Sequence, residues 1–338
     1  MSYILLTGGA GYIGSHTALE LLNAGYQVLS FDNFSNSSDM ALKRVEQLTG
    51  KQIVSLSGDI RDETALRQLF TDYNISAVVH FAGLKAVGES TQIPLHYYDN
   101  NVAGTVTLCR VMREFNIKTL VFSSSATVYG DAKKVPIPET AERSATNPYG
   151  QSKLMIEHIL EDLVCAEPDW GITLLRYFNP VGSHDSGQIG EDPNGIPNNL
   201  MPFISQVAVG KRDELSVFGD DYATHDGTGV RDYIHVVDLA RGHVKALQYL
   251  EKHRGIEAIN LGTGTGYSVL DMVNAFSRVN NIAVPYQIAP RRAGDIAVCF
   301  AEPTKAKTLL GWQAEKTLDD MVRDSWRWQS ANPNGYNN

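Results

Sequence analysis

The run Tyr3-Ile4-Leu5-Leu6-Thr7-Gly8-Gly9-Ala10-Gly11-Tyr12-Ile13-Gly14 constrains the fold more than any other stretch of the chain. An apolar segment of strand length leads straight into a G-x-G-x-x-G turn, and the turn opens a segment whose apolar face includes Leu19 and Leu22. Glycine suits this place because the turn is tight, the backbone must come close to a pyrophosphate, and the helix must sit against the strand. The helix start adds unpaired N–H groups and a partial positive charge. A glycine turn can also close such a corner without any ligand. Asp32, however, follows Gly14 by 18 residues at the end of the second strand-like run. A carboxylate there accepts both ribose hydroxyls of NAD and repels the extra phosphate of NADP.

Short continuous apolar runs recur at residues 3–6, 27–31, 53–56, 77–81, 119–122 and 172–176. They lack polar alternation, which is how strands buried on both faces look. Between them apolar residues fall at helical spacing, as in Val102, Val106, Cys109 and Met112, or Ile156, Leu160, Leu163 and Val164. The pattern predicts an α/β fold: a doubly wound parallel sheet of Rossmann type over residues 1–179. After Asn179-Pro180 the chain becomes dense in Gly, Pro, Asn and Asp over residues 182–197, which marks a domain boundary. Residues 180–338 then form a second, smaller α/β substrate domain. Its segments 233–237 and 258–261 are strand-like and able to pack back onto the first domain.

Composition narrows the function classes. The 29 Lys and Arg against 38 Asp and Glu give a net charge of −9, the wrong sign for tracking nucleic acid or an anionic membrane surface. No stretch approaches the roughly 18 apolar residues that span a bilayer, and no signal peptide is expected. Cys109, Cys165 and Cys299 are widely spaced and suit neither a disulfide framework nor a zinc knuckle, so a reducing, cytoplasmic setting is expected. No metal is expected either, because the nine histidines form no H-x-H or H-E-x-x-H pattern and Glu191-Asp192-Pro193-Asn194-Gly195 lacks EF-hand spacing.

Tyr149-Gly150-Gln151-Ser152-Lys153 carries the chemistry. Asn147 can cap and Pro148 can take the first helical position, so the spacing predicts a helix with Tyr149 and Lys153 on one face. A phenol of pKa about 10 is a poor base at neutral pH, but a neighbouring ammonium and a positively charged nicotinamide both favour the phenolate. Tyrosine then works as a general base and, in reverse, as a general acid. Such a pair also occurs on solvated helices. The run Phe122-Ser123-Ser124-Ser125-Ala126-Thr127-Val128-Tyr129-Gly130 supplies context, since it puts hydroxyls at the carboxyl edge of the sheet, where open α/β folds bind ligands. Ser125 can equally cap or form a turn there. Strand-end serine, helical Tyr and Lys, and the glycine turn together describe a hydride-transfer site.

On these residues the chain resembles the extended short-chain dehydrogenase/reductases, and within them the UDP-glucose 4-epimerase family, also called UDP-galactose 4-epimerases. The likeness covers nearly the whole chain. It continues through Phe81-Ala82-Gly83-Leu84-Lys85-Ala86-Val87-Gly88-Glu89-Ser90, Arg176-Tyr177-Phe178-Asn179-Pro180, Pro197-Asn198-Asn199-Leu200-Met201-Pro202 and Gly229-Val230-Arg231-Asp232-Tyr233-Ile234-His235. The resemblance implies that Tyr149 is the base, Lys153 its electrostatic and ribose-binding partner, and Ser125 the hydroxyl between sugar and tyrosine. It implies NAD contacts at Gly8, Gly11, Tyr12, Ile13, Gly14, Asp32, Asn33, Asn36, Asp59, Ile60, Phe81, Ala82, Gly83, Lys85, Asn100 and Phe178, besides the three catalytic positions. Read locally, Asp59-Ile60 and Phe81-Ala82-Gly83 could as well be strand-end turns. It implies uridine diphosphate contacts at Asn179, Asn199, Leu200, Phe218, Arg231, Tyr233, Arg292 and Asp295. Arg231 and Arg292 are fixed cations in an otherwise acidic chain, suited to diphosphate oxygens or to surface ion pairs.

The implied activity interconverts UDP-galactose and UDP-glucose at carbon 4 through a 4-keto sugar. Cys299 stands where many bacterial members carry a bulky tyrosine. That implies room for UDP-N-acetylglucosamine and UDP-N-acetylgalactosamine, unless a neighbouring side chain fills the space. A homodimer is implied, built from helices near residues 102–113 and 156–164. The alternative within enzymes is a nucleotide-sugar 4,6-dehydratase, whose eliminating Asp and Glu would stand at Ala126 and Thr127. A non-catalytic redox sensor has no use for Ser125, Tyr149 and Lys153 together.

Overall fold

The computed structural model describes residues 2–193, 195, 197, 199–292 and 294–337. Of the motif residues quoted above, Asn194 and Asn198 lie outside the described residues. The first half runs β1 (Tyr3–Thr7), α1 (Tyr12–Asn23), β2 (Gln27–Asp32), α2 (Asp39–Thr49), β3 (Val54–Ser57), α3 (Glu63–Asp72) and β4 (Ile75–His80). The short helices α4 (Val87–Gln92) and α5 (Pro94–Tyr97) lead into a π-helical turn (Tyr98–Ala103) and α6 (Gly104–Glu114). Then come β5 (Thr119–Ser125), a 3-10 turn (Ala126–Tyr129), α7 (Pro148–Ala166) and β6 (Gly171–Tyr177). Local chemistry sets the start of α7: Asn147 Oδ1 accepts the Gly150 N–H at 2.9 Å, a cap of about 1 kcal/mol, and Pro148 occupies the first turn.

Seven parallel strands form the main sheet, which closes with β10 (Gly255–Leu261) in the order β10-β6-β5-β4-β1-β2-β3. Neighbouring residues point to opposite faces, and both faces are covered. Leu6, Val28 and Val79 join the core on one side, while Leu5, Leu29 and Val78 join the core on the other. All six are fully buried, which is why the strands read as unbroken apolar runs. The winding reverses between β1 and β4, so a ligand crevice opens beyond their carboxyl ends.

The second half contributes β7 (Asn179–Val181), α8 (Leu200–Ala208), β8 (Leu215–Phe218), β9 (Val230–His235) and α9 (Val236–Leu250) before β10. After it come β11 (Gly266–Ser268), α10 (Val269–Asn280), β12 (Tyr286–Ala289), β13 (Val298–Cys299), α11 (Thr304–Leu310) and α12 (Leu318–Ala331). Residues 258–261 lie on the main sheet, but residues 233–237 do not join it. Strand β9 instead pairs with β7, β11 and β13 in a separate sheet, and Val236 and Val237 already begin α9. Because β7 follows β6 after one residue, this small sheet sits past the carboxyl end of the large one. A third core containing Met201, Ile204, Met272, Phe276 and Val322 binds α8, α10 and α12 together. No helix among the described residues is long and apolar enough to cross a membrane.

Candidate active site

The glycine turn leaves no room for side chains. Gly8 has a φ of +72°, and a Cβ on it would stand 2.8 Å from the Ala82 nitrogen; a Cβ on Gly14 would stand 2.4 Å from the Gly8 carbonyl oxygen. Gly11 is the N-cap of α1 and no side chain caps that helix, so its first-turn N–H groups are available to a pyrophosphate. The backbone after β4 is tied to β1, with Phe81 and Ala82 N–H both donating to the Thr7 carbonyl at 2.9 and 3.0 Å. Asp32 is buried at the end of β2. It accepts the Ala10 N–H at 3.0 Å, the Phe34 N–H at 2.9 Å and the Ser37 hydroxyl at 2.9 Å, leaving about one of a carboxylate's four acceptor sites for a ribose. These residues fit a bound dinucleotide.

The flanking positions divide into two groups. Asn33 and Asn36 are exposed after β2, and Asn33 donates to Asp59 at 3.3 Å. The Arg61 guanidinium holds the Asp59 carboxyl down at about 2, and Ile60 is buried beside it. Gly83 lies close to Lys153: a Cβ on Gly83 would be 3.6 Å from Lys153 Nζ. Asn100 and Asn101 are buried in the π-helical turn, a distortion common at functional sites. The Tyr12 ring points elsewhere, since its hydroxyl donates to the Gly182 carbonyl at 2.6 Å. At Tyr12 it is thus the backbone, at the start of α1, that faces the glycine turn.

Tyr149 and Lys153 lie one turn apart on α7, facing the end of β5. Loss of solvent raises the Tyr149 phenol above its ordinary pKa, and the Ser125 hydroxyl pulls it back. Ser125 thus opposes the loss of solvent at Tyr149. Lys153 Nζ donates to the Ser123 carbonyl at 2.8 Å and lies 4.9 Å from the centre of the Phe122 ring. Its burial lowers it to about 8, so the ammonium persists at neutral pH. Ser125 also caps the 3-10 turn, accepting the Thr127 N–H at 3.2 Å. The capping role open to Ser125 in the sequence is thus present in the structure.

The second half gathers the remaining candidate residues around β9. Asn179 pairs with Tyr233 across β7 and β9, and Cys299 pairs with Arg231 across β13 and β9. Tyr233 is buried and raised to about 12, with Arg231 and Arg292 acting against that rise. Arg292 lies 4.8 Å over the exposed Phe218 ring and bonds Asp295 at 3.1 Å. Cys299 and Phe178 share a core cluster with Val128 and Leu154. Asn199 caps α8 by position, while its side chain donates to Glu191 at 2.7 Å, and Leu200 begins the helix.

A UDP-glucose 4-epimerase of Bacillus subtilis is 62% identical over 333 residues, covering 98% of each chain. The chain belongs to the UDP-glucose 4-epimerase family. Among solved structures, a UDP-glucose 4-epimerase from Bifidobacterium longum in complex with NAD+ and UDP is 55% identical with a TM-score of 0.96, covering 99% of this chain and 100% of that one. A UDP-Glc/GlcNAc 4-epimerase from Campylobacter jejuni is 35% identical with a TM-score of 0.85, covering 98% and 100%. A broader family model described as GDP-mannose 4,6 dehydratase matches residues 5–325. Within that shared frame Ala126 and Thr127 carry no carboxylate, which separates this epimerase-family chain from a dehydratase.

Two residues that tie the candidate site together were invisible to motif reading. Asn101 bonds the Leu84 N–H at 2.8 Å, the Leu84 carbonyl at 3.0 Å and Ser152 Oγ at 3.0 Å, tying the loop after β4 to α7. The polar pair Asn100-Asn101 was its only signal. Glu191, read only as loop, joins Lys85 at 3.3 Å to Asn199, linking the cofactor side to the nucleotide side. Among the described residues, His225, Asp226 and Asp271 are the group whose ligand atoms lie within 4.8 Å of one another. Asp226 is engaged by Ser268 and Thr228, and Asp271 by the Ser268 N–H that it caps.

Proposed function

We propose that the chain interconverts UDP-galactose and UDP-glucose at carbon 4 as an NAD-dependent isomerase. The observation that carries this reading is the meeting of Tyr149, Lys153 and Ser125 beside the glycine turn, in a chain 62% identical to an epimerase. When bound, NAD supplies an acceptor for the hydride on carbon 4 and returns it. Tyr149 takes the proton of the 4-hydroxyl, directly or through Ser125, and gives it back after the 4-keto sugar has turned its other face. Lys153 stays cationic and holds the ribose side. Arg231, Arg292, Phe218, Tyr233, Asn179, Asn199, Leu200 and Asp295 grip the uridine diphosphate, so the hexose can rotate without leaving. Residues 1–179 with β10 form the cofactor domain, and the remainder of 180–338 forms the nucleotide-sugar domain.

Three finer readings belong with this one. Cys299, small and beside Phe178, leaves space for an N-acetyl group, so UDP-N-acetylhexosamines are also substrates; the likeness to the Campylobacter jejuni UDP-Glc/GlcNAc enzyme supports this. The chain works as a homodimer through α6 and α7. An open cavity of about 530 Å³, lined by Val102, Val106, Arg110 and Met155 among others, supports a second copy there. All three cysteines are free, which supports a reducing, cytoplasmic setting. To test the main reading, purified protein is given UDP-galactose without added NAD and the product is read by proton NMR of the anomeric region. UDP-glucose formation is expected; none, even after NAD is added, would overturn the reading.

A further inference from the structure

Glu157 and Arg176 form an ion pair with almost no exposed surface: Glu157 is 0% and Arg176 2% exposed. The pair is bidentate, with Arg176 Nε on Oε1 at 2.9 Å and a terminal nitrogen on Oε2 at 2.7 Å. The other terminal nitrogen donates to the Tyr129 hydroxyl at 2.9 Å and the Glu139 carbonyl at 3.0 Å. Removing two charges from water costs about as much as their attraction returns, so such a pair is weak evidence of stabilisation. Its partners give it another meaning. Glu157 lies on α7, one turn beyond Lys153 and two beyond Tyr149. Its Oε1 also accepts the Ser124 hydroxyl at 2.6 Å.

Ser124 sits between the two serines that touch the catalytic pair. Its predecessor offers its carbonyl to Lys153, and its successor carries the hydroxyl that lowers Tyr149. We propose that the buried Glu157–Arg176 pair is a positioning device, which through Ser124 fixes the last residues of β5 against α7 so that Ser125 meets Tyr149. Arg176 anchors the carboxylate from β6, and Arg143 adds a third donor at 3.1 Å. Charge-assisted bonds of this kind are directional. The helix bearing the base and the strand bearing the hydroxyl thereby share one carboxylate. This inference rests on the epimerase reading above.

Ser124→Ala removes the tether and leaves the ion pair in place. The expected result is a kcat about tenfold lower with KM and melting temperature nearly unchanged. The acidic limb of the kcat profile should also move up by about half a pH unit, because Ser125 no longer holds Tyr149 down. Titration of phenolate absorbance in the purified protein, referenced to Tyr149→Phe, should show the same upward shift. A second variant, Glu157→Leu with Arg176→Met, should melt near the wild type yet lose about a hundredfold in kcat. Wild-type kcat and an unmoved limb in Ser124→Ala would overturn the proposal, as would loss of rate that only tracks loss of folded protein. If the wild-type protein itself fails to turn over UDP-galactose, the epimerase reading falls, and the phenolate titration alone decides the positioning claim.

Discussion

Asp32 and Arg292, the two charges proposed above to meet a nucleotide, are held in opposite ways. Asp32 is buried, fixed by three hydrogen bonds from its own chain, and set at the end of a strand with packed neighbours on both faces. Arg292 is exposed on a loop, braced by one carboxylate and one aromatic ring. The same contrast runs through the two halves. On the proposed cofactor side most of the candidate elements are backbone, glycine and buried polar groups, with the exposed Asn33 and Asn36 at the margin. On the proposed nucleotide-sugar side Arg231, Arg292 and Phe218 are long side chains at strand ends and loops that can adjust, beside the buried Tyr233. Such a division suits a cofactor that stays and a substrate that enters, turns over its hexose and leaves.

Changes at the fixed side should cost chemistry, and changes at the adjustable side should cost binding. Tyr149→Phe should lower kcat by about 10³ with little change in KM, since only proton transfer is lost; steady-state kinetics on UDP-galactose measure both. A large KM effect would erase the distinction. Arg292→Ala should raise KM about tenfold and leave kcat within a factor of two or so, because an exposed cation mainly contributes ground-state grip. Cys299→Tyr should reduce activity on UDP-N-acetylglucosamine about tenfold relative to UDP-glucose, as the larger ring fills the pocket. Equal loss on both substrates would remove the specificity role of that position.

The smallest effect concerns acid stability of the fixed side. Burial lowers His16 and His80 to about 3 and His243 to about 4, against about 6.5 in an unfolded chain. Between those values the unfolded chain binds protons that the fold refuses. Stability is therefore full above about pH 6.5 and falls as the pH drops towards 4 and then 3. All three histidines belong to elements of the main sheet and its helices. Melting temperature should decline by a few degrees from about pH 7 to about pH 5, and His80→Asn should flatten the decline. A flat profile in the wild type would contradict burial of neutral imidazoles.

The contrast also explains what was legible in the sequence. Strands such as β1 and β4 bury both faces, so Leu5-Leu6 and Val78-Val79 announce themselves without alternation. The start of α7 was written in Asn147-Pro148 because capping is local chemistry. Two things were hidden. Segment 233–237 looked able to join the main sheet, but its pairing is set by β7, β11 and β13, which are too short to read as strands. The Lys153 ammonium was legible as a charge one turn from Tyr149, but its bond to the Ser123 carbonyl was not. Links such as Asn101 to Ser152 and Glu157 to Ser124 span 51 and 33 residues and leave no periodic trace.

The central claim is that the fixed side retains what it binds while the sugar is inverted within the site. It is tested most directly by mass spectrometry and proton NMR of the product when the purified protein, without added NAD and in ordinary water, turns over a mixture of unlabelled UDP-galactose and UDP-galactose carrying both deuterium at carbon 4 and a carbon-13 hexose. The expected result is UDP-glucose in which each molecule keeps its own carbon 4 label, with no free NADH. Loss of the deuterium to solvent, its appearance on unlabelled molecules, or NADH accumulating with product would contradict it.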